Sequence, residues 1–377
     1  MPVGRSAARA AYLMDTRAID GQVSDERAGV FGPDSDFRRA GVRAKNDYKN
    51  FDIPGFVTQS GFTLNVKLAY KTFGELAPDG GNAVVIPTFY GGRHSDTEFM
   101  IAPGRSIDTR RYFVVIPNML GNGHSSSPSN TPAPYGRGGF PLTTLYDNVM
   151  CQHRLLTEHL GVKHIRLVSG FSMGAQQAFQ WGALFPEMVD AIAPICGSAR
   201  TAAHNYVFVD SAVSALKLDP AFLDGWYDSP PLRGVLAFGH VYSAWLFSQD
   251  FFREQLYLKL GLASRDDVVK FTQGYFLAND ANNLIAMART WMAGDISANP
   301  RYQGDFDAAL AAITCRAIVM PGDTDLYFRV ADNAYEVARM PHAELRPIPS
   351  KWGHGAGFGV DPADNAFIDR ALAELLA

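Results

Sequence analysis

Hydrophobic residues occur along this chain in short uninterrupted runs that are separated by longer helical patterns. Short apolar runs bounded by glycine, proline or asparagine are typical of strands buried on both faces. Ahead of them, Leu64, Val66 and Leu68 alternate with Asn65 and Lys67, which predicts a strand with one solvated face. The predicted buried strands are 83–86, 112–116, 165–168, 189–195, 316–320 and 345–348.

Helical periodicity fills several of the gaps between these runs. The predicted helices are 145–160, 175–185, 330–340 and 365–376. Because strands and helices follow one another in turn, the chain is expected to have an α/β fold, with a mostly parallel central sheet flanked by helices. Hydrophobic residues make up 47% of the chain, enough apolar material to bury such a sheet.

The alternation of strand and helix breaks between residues 199 and 304. This stretch is rich in aromatic residues and favours helices, so it is expected to be a helical cap inserted over the carboxyl edge of the sheet. The core then comprises 51–198 and 305–377. Residues 1–50 have no sustained periodicity and are expected to form an N-terminal arm without chemistry of its own.

Composition narrows the classes of function. The net charge is -4 and no run of lysine or arginine concentrates positive potential, which argues against nucleic acid as a partner. No apolar stretch approaches the ~20 residues of a membrane span, and no signal peptide is evident, so a cytoplasmic location without membrane association is expected. Cys151, Cys196 and Cys315 lack metal-binding spacing, and neither a metal nor another cofactor is expected.

The most informative local motif is Gly170-Phe171-Ser172-Met173-Gly174, which follows a predicted strand and precedes a predicted helix. In this context, G-x-S-x-G is a nucleophile elbow, a sharp turn that exposes the serine hydroxyl at the carboxyl end of a sheet. The Met173 N–H, at the start of the helix, is positioned to bind an oxyanion forming over Ser172. A tight loop of small residues could give the same letters, but the flanking strand and helix favour a catalytic serine.

A serine nucleophile needs a base, and the base needs a carboxylate that fixes its tautomer. Both are expected in loops after the later strands. His354 lies in a glycine-rich turn after the last predicted strand and is the candidate base. Asp323 and Asp325 both follow the strand 316–320. Asp323 suits a turn or a helix cap, so Asp325 is the preferred partner of His354.

The second oxyanion donor is expected in the loop after the strand 83–86. The Phe89 N–H is the preferred donor and the Tyr90 N–H the next choice. Gly91 and Gly92 could equally be ordinary turn residues. The predicted site therefore consists of Ser172, Asp325 and His354 as a catalytic triad, with an oxyanion hole formed by Phe89 and Met173.

Several segments together resemble the homoserine O-acetyltransferase family of α/β-hydrolases, and they occur in the family's order over most of the chain. The resemblance implies an α/β-hydrolase fold and a covalent acyl-enzyme on Ser172, with Asp325 and His354 at the acid and base positions. The segments that carry it are 140–149, 160–162, 170–176, 218–220, 225–227, 273–274, 279–282, 325–328 and 353–354.

Two positions depart from the members of that family that bind homoserine. Val213 stands where those members carry an arginine, and Gly355 where they usually carry an aspartate. A zwitterionic amino acid would leave charged groups unpaired there, and a buried unpaired charge is costly. The loop 87–90 also makes the pocket more apolar than the family's polar version. The expected function is therefore a carboxylesterase acting on short acyl esters, acetates above all.

Two other functions remain open at this point. One is an acyl-CoA-dependent O-acetyltransferase acting on homoserine or another hydroxyl acceptor, which shares the acyl-enzyme. The other is a non-catalytic binding module, which would be expected to have lost a member of the triad, whereas none is missing. The expected partners are a small-molecule ester substrate and a second copy of the chain, in a homodimer formed through the cap.

Overall fold

A single sheet forms the centre of the computed structural model, which describes residues 47–377. Within those residues its strands are β1 (Lys49–Val57), β2 (Thr63–Phe73), β3 (Ala83–Val85), β4 (Phe113–Pro117), β5 (Ile165–Phe171), β6 (Ala191–Ile195), β7 (Arg316–Val319) and β8 (Ala343–Leu345). Their order is β1-β2-β4-β3-β5-β6-β7-β8. All neighbouring strands from β4 to β8 in this order are parallel. β2 pairs antiparallel with β4, and β1 pairs antiparallel with β2. The predicted α/β-hydrolase fold with a mostly parallel sheet is confirmed.

Helices cover both faces of the sheet and one of its edges. They are α1 (Leu145–Arg154), α2 (Met173–Leu184), α3 (Ala203–Lys217), α4 (Leu232–Leu246), α5 (Gln249–Arg253), α6 (Arg265–Leu277), α7 (Ala281–Met292), α8 (Phe306–Ala311), α9 (Val330–Val337) and α10 (Pro362–Leu376). Val84 and Leu167 pack in the core cluster that contains α10, whereas Val85 and Val168 pack with α1 and α2. Adjacent strand residues thus enter opposite cores, which explains the uninterrupted apolar runs.

The stretch between β6 and β7 contains α3 to α8, and we refer to α3 to α7 with their connecting loops as the cap. Its core is a cluster of aromatic side chains, among them Phe208, Phe238 and Trp291. Tyr90 and Met173 belong to the same cluster, although Tyr90 comes from the loop after β3 and Met173 begins α2. The cap is therefore packed directly against the carboxyl edge of the sheet, where the loops after β3 and β5 emerge.

Some elements differ from the sequence-based expectation. β1 begins at Lys49, inside the segment assigned to an arm, and only Ile53 of its side chains is buried, so no alternation marks it. The rest of that arm, residues 1–46, lies outside the described residues. β8 ends at Leu345, and Ile348 instead forms an isolated bridge with Gly322. Within residues 47–377, no helix is both long enough and apolar enough to cross a membrane.

Candidate active site

Ser172 lies at the sharp turn where β5 ends and α2 begins. Its φ of 57° and ψ of -122° place it among the few non-glycine residues with positive φ, a conformation that costs on the order of 1–3 kcal/mol. Neighbouring contacts stabilise it: the Ser172 N–H donates to the Ile195 carbonyl at 2.9 Å, and the Ser172 carbonyl accepts from the Ala175 N–H at 2.9 Å. The turn is thus tied both to β6 and to its own helix.

The two glycines of the motif are sterically required. A Cβ on Gly170 would lie 2.5 Å from the carbonyl carbon of Gly174, and a Cβ on Gly174 would lie 2.5 Å from the Pro87 carbonyl oxygen. Both distances are too short for carbon. The first turn of α2 therefore packs directly against the backbone of the loop that follows β3, which carries Phe89.

Asp325 and His354 form a buried hydrogen-bonded pair. The His354 Nδ1 lies 2.6 Å from the Asp325 Oδ2, and the two residues are 2% and 0% exposed. The other carboxylate oxygen, Oδ1, accepts from the Tyr327 N–H at 3.0 Å and the Phe328 N–H at 3.2 Å. These donors fix the carboxylate as an acceptor, so Nδ1 is assigned the ring proton. The Nε2 of His354 is then free to act as a base.

The loop that carries His354 is fixed from several sides. The imidazole contacts two aromatic rings, with centroids 4.5 Å from Phe171 and 4.4 Å from Tyr327. The Thr324 hydroxyl accepts from the Gly353 N–H at 3.1 Å, which joins the loop after β7 to the loop after β8. Asp323, the competing aspartate, is exposed in the same turn. The structure thus pairs His354 with Asp325.

Ser172 and His354 line one cavity of about 70 Å³. Aromatic side chains form most of its wall, and none of its lining residues is Asp, Glu, Lys or Arg. No hydrogen bond joins the Ser172 hydroxyl to the His354 ring within the described part of the chain; such bonds often tighten only when substrate binds. The cap side chains of the wall, which the sequence did not identify, include Tyr242, Leu246, Phe247, Phe271 and Phe276.

The predicted oxyanion donors lie on the two loops that meet at the elbow. Phe89 lines the cavity, and its ring packs edge-on against Phe171 at 5.2 Å. The preceding residue, Thr88, is anchored to the loop after β4, because its hydroxyl accepts from the Met119 N–H at 2.9 Å. The alternative donor, Tyr90, turns its side chain into the cap, where its hydroxyl donates to the Leu284 carbonyl at 3.0 Å.

The two positions that depart from the homoserine-binding pattern lie in apolar surroundings. Val213 is 3% exposed within the aromatic cluster of the cap. Gly355 lines the cavity, and a Cβ there would lie 3.1 Å from a ring carbon of Phe247. An aspartate at position 355 would therefore press its side chain against Phe247. The structure offers no charged group at either position.

Comparison with known proteins supports the fold. The family model for the alpha/beta hydrolase fold matches residues 84–358. An ethyl acetate hydrolase of Pseudomonas veronii is 37% identical over 314 residues, which are 82% of this chain and 89% of that protein. A homoserine O-acetyltransferase of Trichormus variabilis is 28% identical over 331 residues, 84% of this chain and 90% of that protein.

A solved acetylester hydrolase of Corynebacterium glutamicum has a similar structure. Its TM-score is 0.84 at 34% sequence identity, and the match covers 87% of this chain and 95% of that one. The match extends across both the sheet and the cap, since the chain between β6 and β7 is too long to lie outside it. This chain therefore belongs to the α/β-hydrolase family, where its relatives include ester hydrolases and homoserine O-acetyltransferases.

Proposed function

We propose that this protein is a carboxylic ester hydrolase that cleaves short acyl esters, acetates above all, through an acyl-enzyme on Ser172. The observation that carries the proposal is the apolar cavity above Ser172 and His354, which no Asp, Glu, Lys or Arg side chain of residues 47–377 lines. A neutral ester enters such a cavity without leaving a charge unpaired. The ethyl acetate hydrolase and acetylester hydrolase among the relatives support acetates as the substrate class.

In the acylation step, the Ser172 Oγ attacks the ester carbonyl and its proton passes to the His354 Nε2. Asp325, bonded to Nδ1, stabilises the imidazolium that forms. The Phe89 and Met173 N–H groups donate to the oxyanion of the tetrahedral intermediate. When the intermediate collapses, the C–O bond to the alcohol breaks and the leaving alkoxide takes the proton from His354.

In the second step, water attacks the acyl group on Ser172. His354 takes a proton from that water, and the same two N–H groups bind the new oxyanion. Collapse breaks the bond to Ser172, whose oxygen recovers its proton from His354, and the acid is released. An acyltransferase would share the first step and differ only in the acceptor. Val213 and Gly355 offer no charge to a zwitterionic acceptor, which favours water.

Parallel assays of hydrolysis and transfer test this function. The purified protein is offered p-nitrophenyl esters of increasing acyl length and, separately, acetyl-CoA with homoserine. We expect hydrolysis that is fastest for acetate and declines with longer acyl chains, because aromatic side chains crowd the cavity beside Ser172. Efficient transfer to homoserine with little hydrolysis would overturn the proposal.

We also propose that two copies of the chain associate through the cap. The cap exposes large apolar side chains, including Val207 at 62%, Leu218 at 82% and Trp226 at 54%. Large apolar side chains that are exposed to solvent are candidates for an interaction surface. Sedimentation velocity should show a dimer that Leu218→Glu weakens. A monomer at micromolar concentration would refute the dimer without affecting the proposed chemistry.

A further inference from the structure

Three buried side chains connect the elbow helix to the loop that carries Phe89. The Trp181 Nε1–H donates to the Gln152 Oε1 at 2.8 Å, and the Gln152 Nε2 donates to the Gln177 Oε1 at 2.6 Å. The Gln177 Nε2 then donates to two carbonyls, those of Thr88 at 2.9 Å and Met173 at 3.2 Å. Each of the three side chains is 0% exposed. We refer to Trp181, Gln152 and Gln177 as the amide chain.

The direction of every hydrogen bond in the amide chain follows from its first member. An indole N–H can only donate, so the Gln152 atom that faces it must be the carbonyl oxygen. The Gln152 NH₂ group then faces Gln177, whose oxygen must accept. The Gln177 NH₂ group is therefore directed towards the carbonyls of Thr88 and Met173, and a flipped amide would break the sequence of bonds.

The Thr88 carbonyl belongs to the same peptide unit as the Phe89 N–H. Because a trans peptide is planar, its C=O and N–H groups point in opposite directions, and fixing one fixes the other. A hydrogen bond to the carbonyl also polarises the peptide and strengthens its N–H as a donor. We propose that Gln177, oriented by Gln152 and Trp181, is a positioning residue that aims and strengthens the Phe89 N–H as an oxyanion donor.

This inference rests on the proposed hydrolase function and adds to it a residue that does not touch substrate. The key variant is Gln177→Met, which keeps the length of the side chain but cannot donate to Thr88. We expect kcat for p-nitrophenyl acetate to fall roughly ten- to a hundredfold with KM within about twofold, because loss of a whole oxyanion donor costs about 10²–10³ in kcat.

Gln180→Met is the matched control. Gln180 lies on the same helix, is 1% exposed, and its Nε2 also donates to a backbone carbonyl, that of Ile296 at 3.3 Å. That carbonyl lies outside the proposed oxyanion hole, so Gln180→Met should lower the melting temperature by a similar amount and leave kcat unchanged. A purely structural role for Gln177 predicts that the two variants behave alike.

Trp181→Phe tests the direction of the amide chain. It removes the donor that orients Gln152, so it should lower kcat in the wild-type background and have no further effect on kcat in Gln177→Met. Additive effects of Trp181→Phe and Gln177→Met on kcat would overturn this inference, and so would equal kcat values for Gln177→Met and Gln180→Met. Neither result would affect the proposed hydrolase function. If the wild type does not hydrolyse p-nitrophenyl acetate, the proposed function fails first.

Discussion

At the scale of single residues, Gly174 is required because it has no Cβ. The space that a Cβ would need is occupied by the Pro87 carbonyl, at 2.5 Å. This contact sets the spacing between α2, which begins at Met173, and the loop that carries Pro87 and Phe89. Even a single added carbon must push the helix and the loop apart.

Gly174→Ala should therefore reduce kcat on the order of a hundredfold, since a misplacement of about 1 Å can cost that much. Gly274→Ala is the control, because a Cβ at that helical position would meet no atom within 4 Å. It should leave kcat unchanged and raise stability by up to about 1 kcal/mol. Steady-state kinetics and thermal unfolding of both variants provide the measurement. Equal kcat values in the two would contradict the steric argument.

Asp325→Asn should lower kcat by roughly 10⁴-fold, as loss of the carboxylate does in other serine triads. An amide can donate to Nδ1, which favours the ring tautomer that has no free base at Nε2. The asparagine oxygen can still accept from the Tyr327 and Phe328 N–H groups, so the fold should be retained. Asp323→Asn, on the exposed neighbour, should leave ester hydrolysis intact; a comparable loss in that variant would count against the assignment.

The proposed triad was identifiable from the sequence because its signals are local: a motif around Ser172, and loops at the ends of predicted strands for Asp325 and His354. The amide chain was not, because its bonds join residues far apart in sequence. Gln177 and Thr88 are 89 positions apart, and Gln152 and Gln177 are 25. The sequence does not show whether a glutamine in a helix is buried or which backbone carbonyl its side chain reaches.

At the scale of elements, α9 supports the chain where it leaves β6 for the cap. The Glu336 Oε1 accepts from the Ala199 N–H at 2.8 Å, and the Asn333 Nδ2 donates to the Gly197 carbonyl at 2.9 Å. Glu336 is buried at 3% exposure, and burial raises the pKa of its carboxyl to about 8. The junction between sheet and cap thus contains a carboxyl group that is protonated near neutral pH.

This raised pKa makes stability depend on pH. Between its usual 4.5 and about 8, the folded protein keeps a proton on Glu336 that the unfolded chain has lost. The contribution of this group to the free energy of unfolding is therefore fully present below about pH 4.5 and is lost as the pH rises through about 8. Urea unfolding at about pH 5 and about pH 8 should show a smaller difference in Glu336→Gln than in the wild type. Identical differences would refute the assignment.

Elements buried on both faces were the most predictable, because their sequences are uninterrupted apolar runs. β1 was missed for the opposite reason: it pairs only with β2 at the edge of the sheet and buries only Ile53. The last strand was predicted at 345–348, beyond the observed β8, because Ile348 is apolar and fully buried. Ile348 lies after the strand, in the turn that leads to His354. Burial alone does not distinguish a strand from an ordered loop.

At the scale of the whole molecule, the candidate active site lies between the carboxyl edge of the sheet and the cap, which share one hydrophobic cluster. The loops after β3, β5, β7 and β8 bring the chemistry to the carboxyl edge of the sheet, and α4 and α6 cover it with aromatic side chains. The sequence predicts a helical cap but not which of its aromatic residues face the cavity, because most of them form the cap's own core. Under the proposed function, the apolar wall favours neutral substrates, and Ser172 at the end of β5 supplies the nucleophile.

The central claim is that Ser172 carries the acyl group during ester hydrolysis. The most direct test is the turnover of p-nitrophenyl acetate by Ser172→Ala beside the wild type, with thermal unfolding to show that both are folded. We expect kcat to fall about 10⁴- to 10⁶-fold, as for other serine nucleophiles. Turnover by Ser172→Ala within about tenfold of the wild type would contradict it.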